Sequence, residues 1–141
     1  MKVFFRLVFS IATALYRLTG GRIGGKVQGL RVLLLTTTGR KTGKSRVTPV
    51  GYFKADGGYV VVASNAGFDN HPGWYHNLKH NPRVTLEIRG KRVSALAEPA
   101  GPDLRERLWA RLMELAPGYG AYQKRTRRVI PIVLLHPEAK A

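Results

Sequence analysis

The sequence predicts a mainly β protein of the α+β class, a small barrel of about six short, mostly antiparallel strands with inserted helices. Short apolar runs recur along the 141 residues. Glycine-containing turn signals join most of these runs as hairpins, and helical periodicity is confined to a few segments between them. This number of short antiparallel strands favours a barrel over a doubly wound sheet, and the length suits one domain with one core.

An N-terminal helix is the first predicted element. Its longest uncharged run, Leu7 to Tyr16, is too short to cross the roughly 30 Å hydrocarbon layer of a membrane. Three interpretations stay open: a secretory signal peptide, a helix lying on an anionic membrane surface, and a helix packed on its own core or on a partner subunit. On a membrane, one set of side chains would enter the lipid: Phe4, Phe5, Leu7, Val8, Phe9, Ile11, Leu15 and Leu18. A second set would lie at the headgroups: Lys2, Arg6, Arg17 and Arg22.

The chain divides at a glycine-rich stretch. Residues 1–22 are an amphipathic, membrane-associating segment in one of these interpretations, and residues 23–141 are the barrel domain. Gly20 to Gly29 contains five glycines and predicts a flexible connector.

The strands follow from apolar, β-branched runs. Leu30–Thr37 is continuously apolar and predicts a buried strand, whereas Arg83–Ile88 alternates and predicts a half-buried one. Pro49 indicates an edge or a bulge, and Pro131 interrupts the last strand. The other predicted strands are Val47–Lys54, Tyr59–Ala63, Arg92–Glu98 and Val129–Leu135.

Two helices are predicted inside the barrel sequence. His71–His80 has a proline near its start, and Pro102–Leu115 carries a leucine stripe at helical spacing. The stripe consists of Leu104, Leu108, Leu112 and Leu115, joined by Trp109 and Met113. We expect Pro117–Gln123 to be an irregular glycine- and tyrosine-containing segment, and Pro137–Ala141 to be a loose tail.

The charge is strongly unbalanced. There are 24 Lys and Arg against 8 Asp and Glu, a formal net charge of +16, and no acidic residue precedes Asp56. Such a field attracts nucleic acid, acidic lipid or a multiply charged cofactor. The absence of cysteine excludes disulfides, thiolate metal ligands and cysteine nucleophiles, and fits a cytosolic protein.

The turn between the first two predicted barrel strands concentrates this charge. Gly39 to Ser45 carries Arg40, Lys41 and Lys44, and Arg46 follows directly. Guanidinium forks and an ammonium group beside flexible glycines suit phosphate or carboxylate. The spacing is not that of a Walker A loop. The alternative is a solvated hairpin tip.

Other candidate groups are less specific. Trp74 could line a site for a flat ring or belong to the core. Ser64 and Asn65 end a strand, and Tyr119 and Tyr122 could donate hydrogen bonds over a pocket. His76 and His80 have the spacing of a zinc pair, but the usual glutamate is absent, so we expect no metal.

Taken in order, these segments resemble the deazaflavin-dependent nitroreductases. The similarity runs from about Gly24 to Pro137 and comprises five motifs. They are LLTTTGRKTG (Leu34 to Gly43), Arg46-Val47-x-Pro49, Trp74-Tyr75-x-Asn77-Leu78-Lys79-x-Asn81-Pro82, Tyr119-x-x-Tyr122-Gln123 and Ile130-Pro131-Ile132-Val133. The resemblance implies a split β-barrel related to flavin-mononucleotide-binding oxidoreductases. It also implies hydride transfer from reduced 8-hydroxy-5-deazaflavin, coenzyme F420, to a flat acceptor such as a quinone.

Site residues are implied by match to the family motifs. The anionic phosphodiester and oligoglutamate tail of coenzyme F420 would lie on Arg40, Lys41, Thr42 and Arg46. Groove-lining backbone would come from Val47, Thr48, Pro49 and Val50. The ring would meet Ala63, Ser64 and Asn65 on one side and Gly73, Trp74 and Asn77 on the other. Acceptor orientation and protonation would fall to Ser64, Tyr119 and Tyr122.

The chain departs from the family pattern at Ala116, where a further tyrosine can occur. One hydroxyl fewer makes nitroimidazoles poorer candidates than quinones, and nitroaromatics and enones would be promiscuous substrates. We expect a peripheral position on the inner face of the cell membrane, and split barrels often form homodimers. The alternatives are a barrel that binds F420 or FMN without this turnover, a basic nucleic-acid-binding module, and a membrane-surface module.

Overall fold

The computed structural model describes residues 2–19, 26–27 and 29–138 of the chain. Its helices are α1 (Lys2–Leu18), α2 (Gly73–His80), α3 (Pro102–Leu115) and α4 (Tyr119–Arg125). A short 3-10 turn covers Asn65–Gly67. The strands are β1 (Lys26–Val27), β2 (Leu30–Thr38), β3 (Ser45–Ala55), β4 (Gly58–Val62), β5 (Arg83–Ile88), β6 (Lys91–Pro99) and β7 (Ile132–Pro137).

The strands close into the predicted barrel. Their hydrogen-bonded order is β1-β2-β3-β4-β7-β6-β5, and β5 also pairs with β2. Leu34 of β2 therefore lies opposite Pro49 of β3 on one side and Glu87 of β5 on the other. The pairs are antiparallel. Closure satisfies backbone hydrogen bonds that an open sheet would leave at its edges.

Strand β2 is buried on both faces, as its continuous apolar run predicts. Leu33 and Leu35 point into the barrel interior, while Val32 and Leu34 pack outside it. The interior also receives Trp74, Tyr75 and Leu78 of α2, so Trp74 belongs to the core, one of the two positions that the sequence left open. Helix α2 begins at Gly73 after Pro72 rather than at His71.

Helices cover the outer face of the barrel. Leu108 and Leu112 of α3 pack with Ile132 and Leu134 of β7 in a second buried cluster. Helix α1 lies over β2 through Tyr16, which is 2% exposed. The Tyr16 hydroxyl accepts a hydrogen bond from the Arg89 backbone N–H at 3.1 Å. Arg17 forms an ion pair with Glu87 at 3.0 Å. No helix among the described residues is long and apolar enough to cross a membrane.

Two predicted irregular segments contain regular structure. Within Gly20–Gly29, residues 26–27 form β1 and pair with β2, while 20–25 and 28 lie outside the described residues. The segment Pro117–Gln123 was predicted to be irregular, but it contributes most of α4. Its glycines lower the intrinsic helix propensity, so the sequence does not predict a helix there. Tertiary hydrogen bonds of Gln123 stabilise the helix.

The end of the chain also differs from prediction. The last strand begins at Ile132 rather than Val129, because Pro131 has no backbone N–H to donate. The tail is not loose at its start, since the Glu138 backbone N–H bonds the Ser94 carbonyl at 2.8 Å. Residues 139–141 lie outside the described residues. In α3, Leu115 is 39% exposed and does not join the buried stripe.

Pro49 lies where its residue type predicts. It pairs with Leu34 of β2, but β4 reaches only the Tyr52–Ala55 part of β3. The N-terminal half of β3 is therefore an edge on that side among the described residues, and a proline is tolerated there.

Candidate cofactor and acceptor site

A compact turn displays the cations between β2 and β3. The Gly39 N–H bonds the Lys44 carbonyl and the Gly43 N–H bonds the Gly39 carbonyl, both at 2.7 Å. Gly43 has φ +73°, which favours glycine. The Thr42 hydroxyl accepts the Lys44 N–H at 3.2 Å, so it shapes the turn itself. Residues 40–46 are exposed, and the ion pairs of the described residues leave this turn without a carboxylate.

Helix α2 holds this turn through a buried amide. Asn77 is 5% exposed, and its Oδ1 accepts the Arg40 backbone N–H at 3.2 Å and the Arg40 guanidinium at 3.1 Å. Its Nδ2 donates to the Thr37 hydroxyl at 3.1 Å. The side chain predicted to touch the cofactor is thus committed to protein groups, and it orients Arg40.

The open edge of β3 runs from this turn toward the end of β4. Ser45 to Gly51 pair only with β2 among the described strands. Val47, Thr48 and Pro49 are half-buried, and Val50 is buried. Unpaired backbone groups beside a row of cations suit an elongated ligand with polar edges and negative charge.

The other candidate cofactor residues lie after β4 and at the start of α2. Ala63 is fully buried in the barrel, while Ser64 and Asn65 are half-buried. Gly73 is exposed at the first position of α2, and an added Cβ would meet no atom within 4 Å there. Trp74 is 7% exposed and belongs to the barrel core. The structure thus places Ser64, Asn65 and Gly73 at the surface, with Ala63 and Trp74 behind them.

The two tyrosines lie together on α4. Their ring centroids are 5.6 Å apart with an edge-to-face orientation. Tyr119 is 5% exposed, and burial, aided by Tyr122, raises its pKa to about 12. It therefore keeps its proton at neutral pH. Tyr122 is half-buried and is the more accessible of the pair.

Two histidines lie between the β2–β3 turn and the loop after β4, since the charge of Arg40 acts on His76 and Arg128 contacts His71. The His71 and His76 rings are 5.7 Å apart. Burial lowers the pKa of His76, and the charges of Arg40 and Lys79 lower it further. Burial also lowers the pKa of His71, with a further contribution from Arg128. Since cations act on both imidazoles, this face of the molecule carries the positive potential that an anionic ligand requires.

Three polar residues connect α3, α4 and the loop after β4: Arg105, Gln123 and Arg128. Gln123 accepts the Ile130 N–H at 3.0 Å and an Arg105 N–H at 3.2 Å. It also donates to the Arg128 carbonyl at 2.7 Å. Arg128 in turn bonds the Ser64 carbonyl at 2.7 Å. Gln123 ends the motif Tyr119-x-x-Tyr122-Gln123, but no pattern in the sequence predicts the partners of Arg105 or Arg128.

Ala116 lies in the outer core. It is 1% exposed, and its carbonyl accepts the Tyr119 N–H at 3.1 Å.

The described residues include no group of three or more His, Asp or Glu side chains arranged to hold a metal.

An antiparallel barrel with exposed cations beside the unpaired half of β3 defines a protein of the split-barrel class and suits an anionic cofactor. The model of the F420H(2)-dependent quinone reductase family matches residues 8–137. The chain belongs to this family. It is an oxidoreductase whose cofactor is coenzyme F420, as the resemblance implied.

Individual relatives agree with this assignment. An F420H(2)-dependent quinone reductase of Mycobacterium tuberculosis is 44% identical over 126 residues, covering 86% of this chain and 85% of that protein. A solved F420-H2 dependent reductase is 37% identical, with a TM-score of 0.67 over 74% of this chain and 93% of its own. A structure described as a domain-swapped dimer is 32% identical, with a TM-score of 0.70 over 94% of this chain and 98% of its own.

Proposed function

We propose that this chain binds reduced coenzyme F420 along the open half of β3 and reduces a quinone at the Ser64 and α4 end of the groove. The observation that carries this is the juxtaposition of exposed cations with an unpaired strand edge. Bound F420 supplies a hydride when reduced. The test is a spectral titration with F420 and FMN, and tight binding of FMN without affinity for F420 would refute the proposal.

The cofactor contacts divide by charge. Arg40, Lys41 and Arg46 hold the phosphodiester and carboxylates, with Thr42 shaping their turn. The backbone of Val47–Val50 follows the cofactor's length. Ala63, Ser64, Asn65 and Gly73 face the ring, and two buried α2 residues act from behind: Trp74 through the core and Asn77 through Arg40.

The acceptor gains a hydride and a proton to become a hydroquinone, so the chain must deliver the proton to one quinone oxygen. Tyr122 is the best placed donor because it is partly accessible, and Ser64 orients the acceptor. Tyr119 acts on the acceptor through Tyr122, since its buried ring packs edge-to-face against the Tyr122 ring. Its pKa of about 12 keeps it uncharged there. Nitroaromatics and enones are flat enough to be secondary substrates.

Tyr122→Phe should slow turnover more than it weakens cofactor binding, because the ring and its packing remain while the hydroxyl is lost. We expect kcat to fall roughly 10- to 100-fold, as for loss of one acid–base group. Stopped-flow oxidation of the reduced cofactor and a separate F420 titration measure the two quantities. Loss of F420 affinity with unchanged kcat would assign Tyr122 to the cofactor instead.

The exposed face of α1 supports a membrane-surface role. Tyr16 ties the helix to the barrel, yet Ile11, Leu15 and Leu18 are 53%, 40% and 83% exposed. An exposed apolar stripe at this spacing matches an interfacial helix, and Arg17, which pairs with Glu87, lies in the same part of the helix. It would bring the groove to the lipid in which apolar quinones dissolve, on the inner face of the cell membrane.

Replacing both Leu15 and Leu18 with serine should reduce sedimentation with acidic liposomes. The substitutions remove apolar area without touching the Tyr16 anchor. The matched control is Leu96→Ser on β6, where the leucine is 41% exposed. Equal cosedimentation of the wild type, the double variant and the control would eliminate this role for α1.

We also propose a homodimer, since a relative of 32% identity is described as a domain-swapped dimer. Light scattering during gel filtration should give twice the 15.7 kDa chain mass. A monomeric mass at micromolar concentration would contradict it.

A further inference from the structure

The turn that carries Ser64 has a strained backbone. Three consecutive residues adopt the left-handed conformation: Asn65 (φ 46°), Ala66 (φ 54°) and Gly67 (φ 79°). Glycine accepts this conformation and asparagine tolerates it, but for alanine it costs roughly 1–2 kcal/mol. Within the turn, the Gly67 N–H bonds the Ser64 carbonyl at 2.9 Å and the Phe68 N–H bonds the Asn65 carbonyl at 3.0 Å. The Asn65 side chain also donates to the Asn70 carbonyl at 2.9 Å. None of these bonds ties the turn to α4 or to the segment after it, so contacts from outside the turn decide where it lies.

Arg128 encloses this turn with one guanidinium group. It donates to the Ala63 carbonyl at 3.1 Å and the Ser64 carbonyl at 2.7 Å, directly before the left-handed residues. It donates to the Phe68 carbonyl at 2.8 Å, directly after them. Its Nη1 also lies 2.9 Å from His71 Nδ1. The bonds on both sides fix the two ends of the turn relative to each other.

Only arginine can make this set of bonds. Guanidinium is planar and presents five N–H donors in a fixed fork, whereas a lysine ammonium is one compact centre. The backbone of Arg128 is itself held, because its carbonyl accepts from Gln123 of α4 at 2.7 Å. The guanidinium thus connects the loop after β4 with the helix that carries Tyr119 and Tyr122.

We infer that Arg128 is a positioning residue: it holds residues 65–67 in the left-handed conformation and thereby fixes Ser64 relative to Tyr122. The role in turnover rests on the proposed function, whereas the structural role does not. Arg128 touches neither cofactor nor acceptor in this role. Its effect is on the geometry in which the acceptor is held, and small displacements of such geometry cost up to about 100-fold in rate.

The first test compares Arg128→Lys with Arg127→Lys, an exposed neighbour that loses the same guanidinium. In Arg128→Lys we expect kcat with a soluble quinone to fall roughly 10- to 100-fold while the KM for the reduced cofactor changes by less than about threefold. Amide hydrogen exchange at Gly67 and Phe68 should accelerate in the same variant. Arg127→Lys should change neither. Unchanged exchange and kcat in Arg128→Lys would overturn the inference.

A second variant tests the strain directly. Adding Ala66→Gly to Arg128→Lys removes the cost that the arginine offsets, so part of the lost kcat and amide protection should return. If Arg128→Lys folds poorly, recovery of folding in the double variant supports the inference as well, because relief of the strain at Ala66 would then compensate for the lost guanidinium. A double variant as impaired as the single one would refute the inference. If the wild type fails to reduce quinones, the proposed function fails, but the exchange comparison still decides the role of Arg128.

Discussion

Lys41→Ala should weaken the binding of coenzyme F420 by roughly 1–3 kcal/mol, which corresponds to about 5- to 150-fold in Kd. Lys41 is exposed in the β2–β3 turn, where no carboxylate of the described residues pairs with it. Its charge is therefore available to the cofactor's phosphodiester or glutamate tail. Fluorescence titration of F420 measures the effect, and the affinity should depend less on salt in the variant than in the wild type.

The matched control is Lys44→Ala, which removes the same charge from the same turn. If Lys41 contacts the cofactor, Lys44→Ala should have a clearly smaller effect. Equal loss of F420 affinity in both variants would mean that the turn acts only through its total positive charge. Unchanged affinity in both would mean that the turn is a solvated hairpin tip without a role in binding. Arg40→Ala should weaken binding as well, although it also breaks two hydrogen bonds to Asn77.

Gly67→Ala should lower the free energy of unfolding by about 2–3 kcal/mol. Gly67 has φ +79°, and a Cβ added there would lie 2.9 Å from the backbone oxygen of Tyr122 and 3.1 Å from the Arg125 side chain. The alanine would therefore have to adopt an unfavourable left-handed backbone conformation and displace α4 from the turn. Urea denaturation measures the loss. Quinone reduction should fall with it, because the turn and α4 carry Ser64 and Tyr122.

Gly73→Ala is the stability control for this substitution. Gly73 begins α2, and an added Cβ meets nothing within 4 Å, so its free energy of unfolding should change by less than about 0.5 kcal/mol. Wild-type stability in Gly67→Ala would show that the turn and α4 separate without cost.

Much of the barrel is predictable because its determinants are local. The continuous apolar run of β2 predicts burial on both faces, and the alternation in β5 predicts its inward residues Val84 and Leu86. Helix α4 is not predictable in this way, since Gly118 and Gly120 lower the helical propensity of a segment that Gln123 holds by tertiary hydrogen bonds. The start of β7 has a local cause instead, since Pro131 has no backbone N–H and the strand begins after it at Ile132.

The candidate site is also predictable only where its determinants are local. The four cations of the β2–β3 turn lie between Arg40 and Arg46, so their clustering is evident from the sequence, and the ordered motifs add the family and its cofactor. The bond from Arg128 to Ser64 spans 64 positions, and the bond from Arg40 to Asn77 spans 37. No local pattern encodes such pairs.

The sequence alone thus determined the strand pattern, the basic turn and the cofactor class, because each depends on neighbouring residues or on an ordered set of short motifs. Only the tertiary structure decided which of the candidate residues are exposed and which are buried. Asn77 and Trp74 are buried, Asn77 bonds Thr37 and Arg40, and Arg128 bonds the Ser64 carbonyl, because burial and hydrogen-bond partners are set by contacts between distant segments.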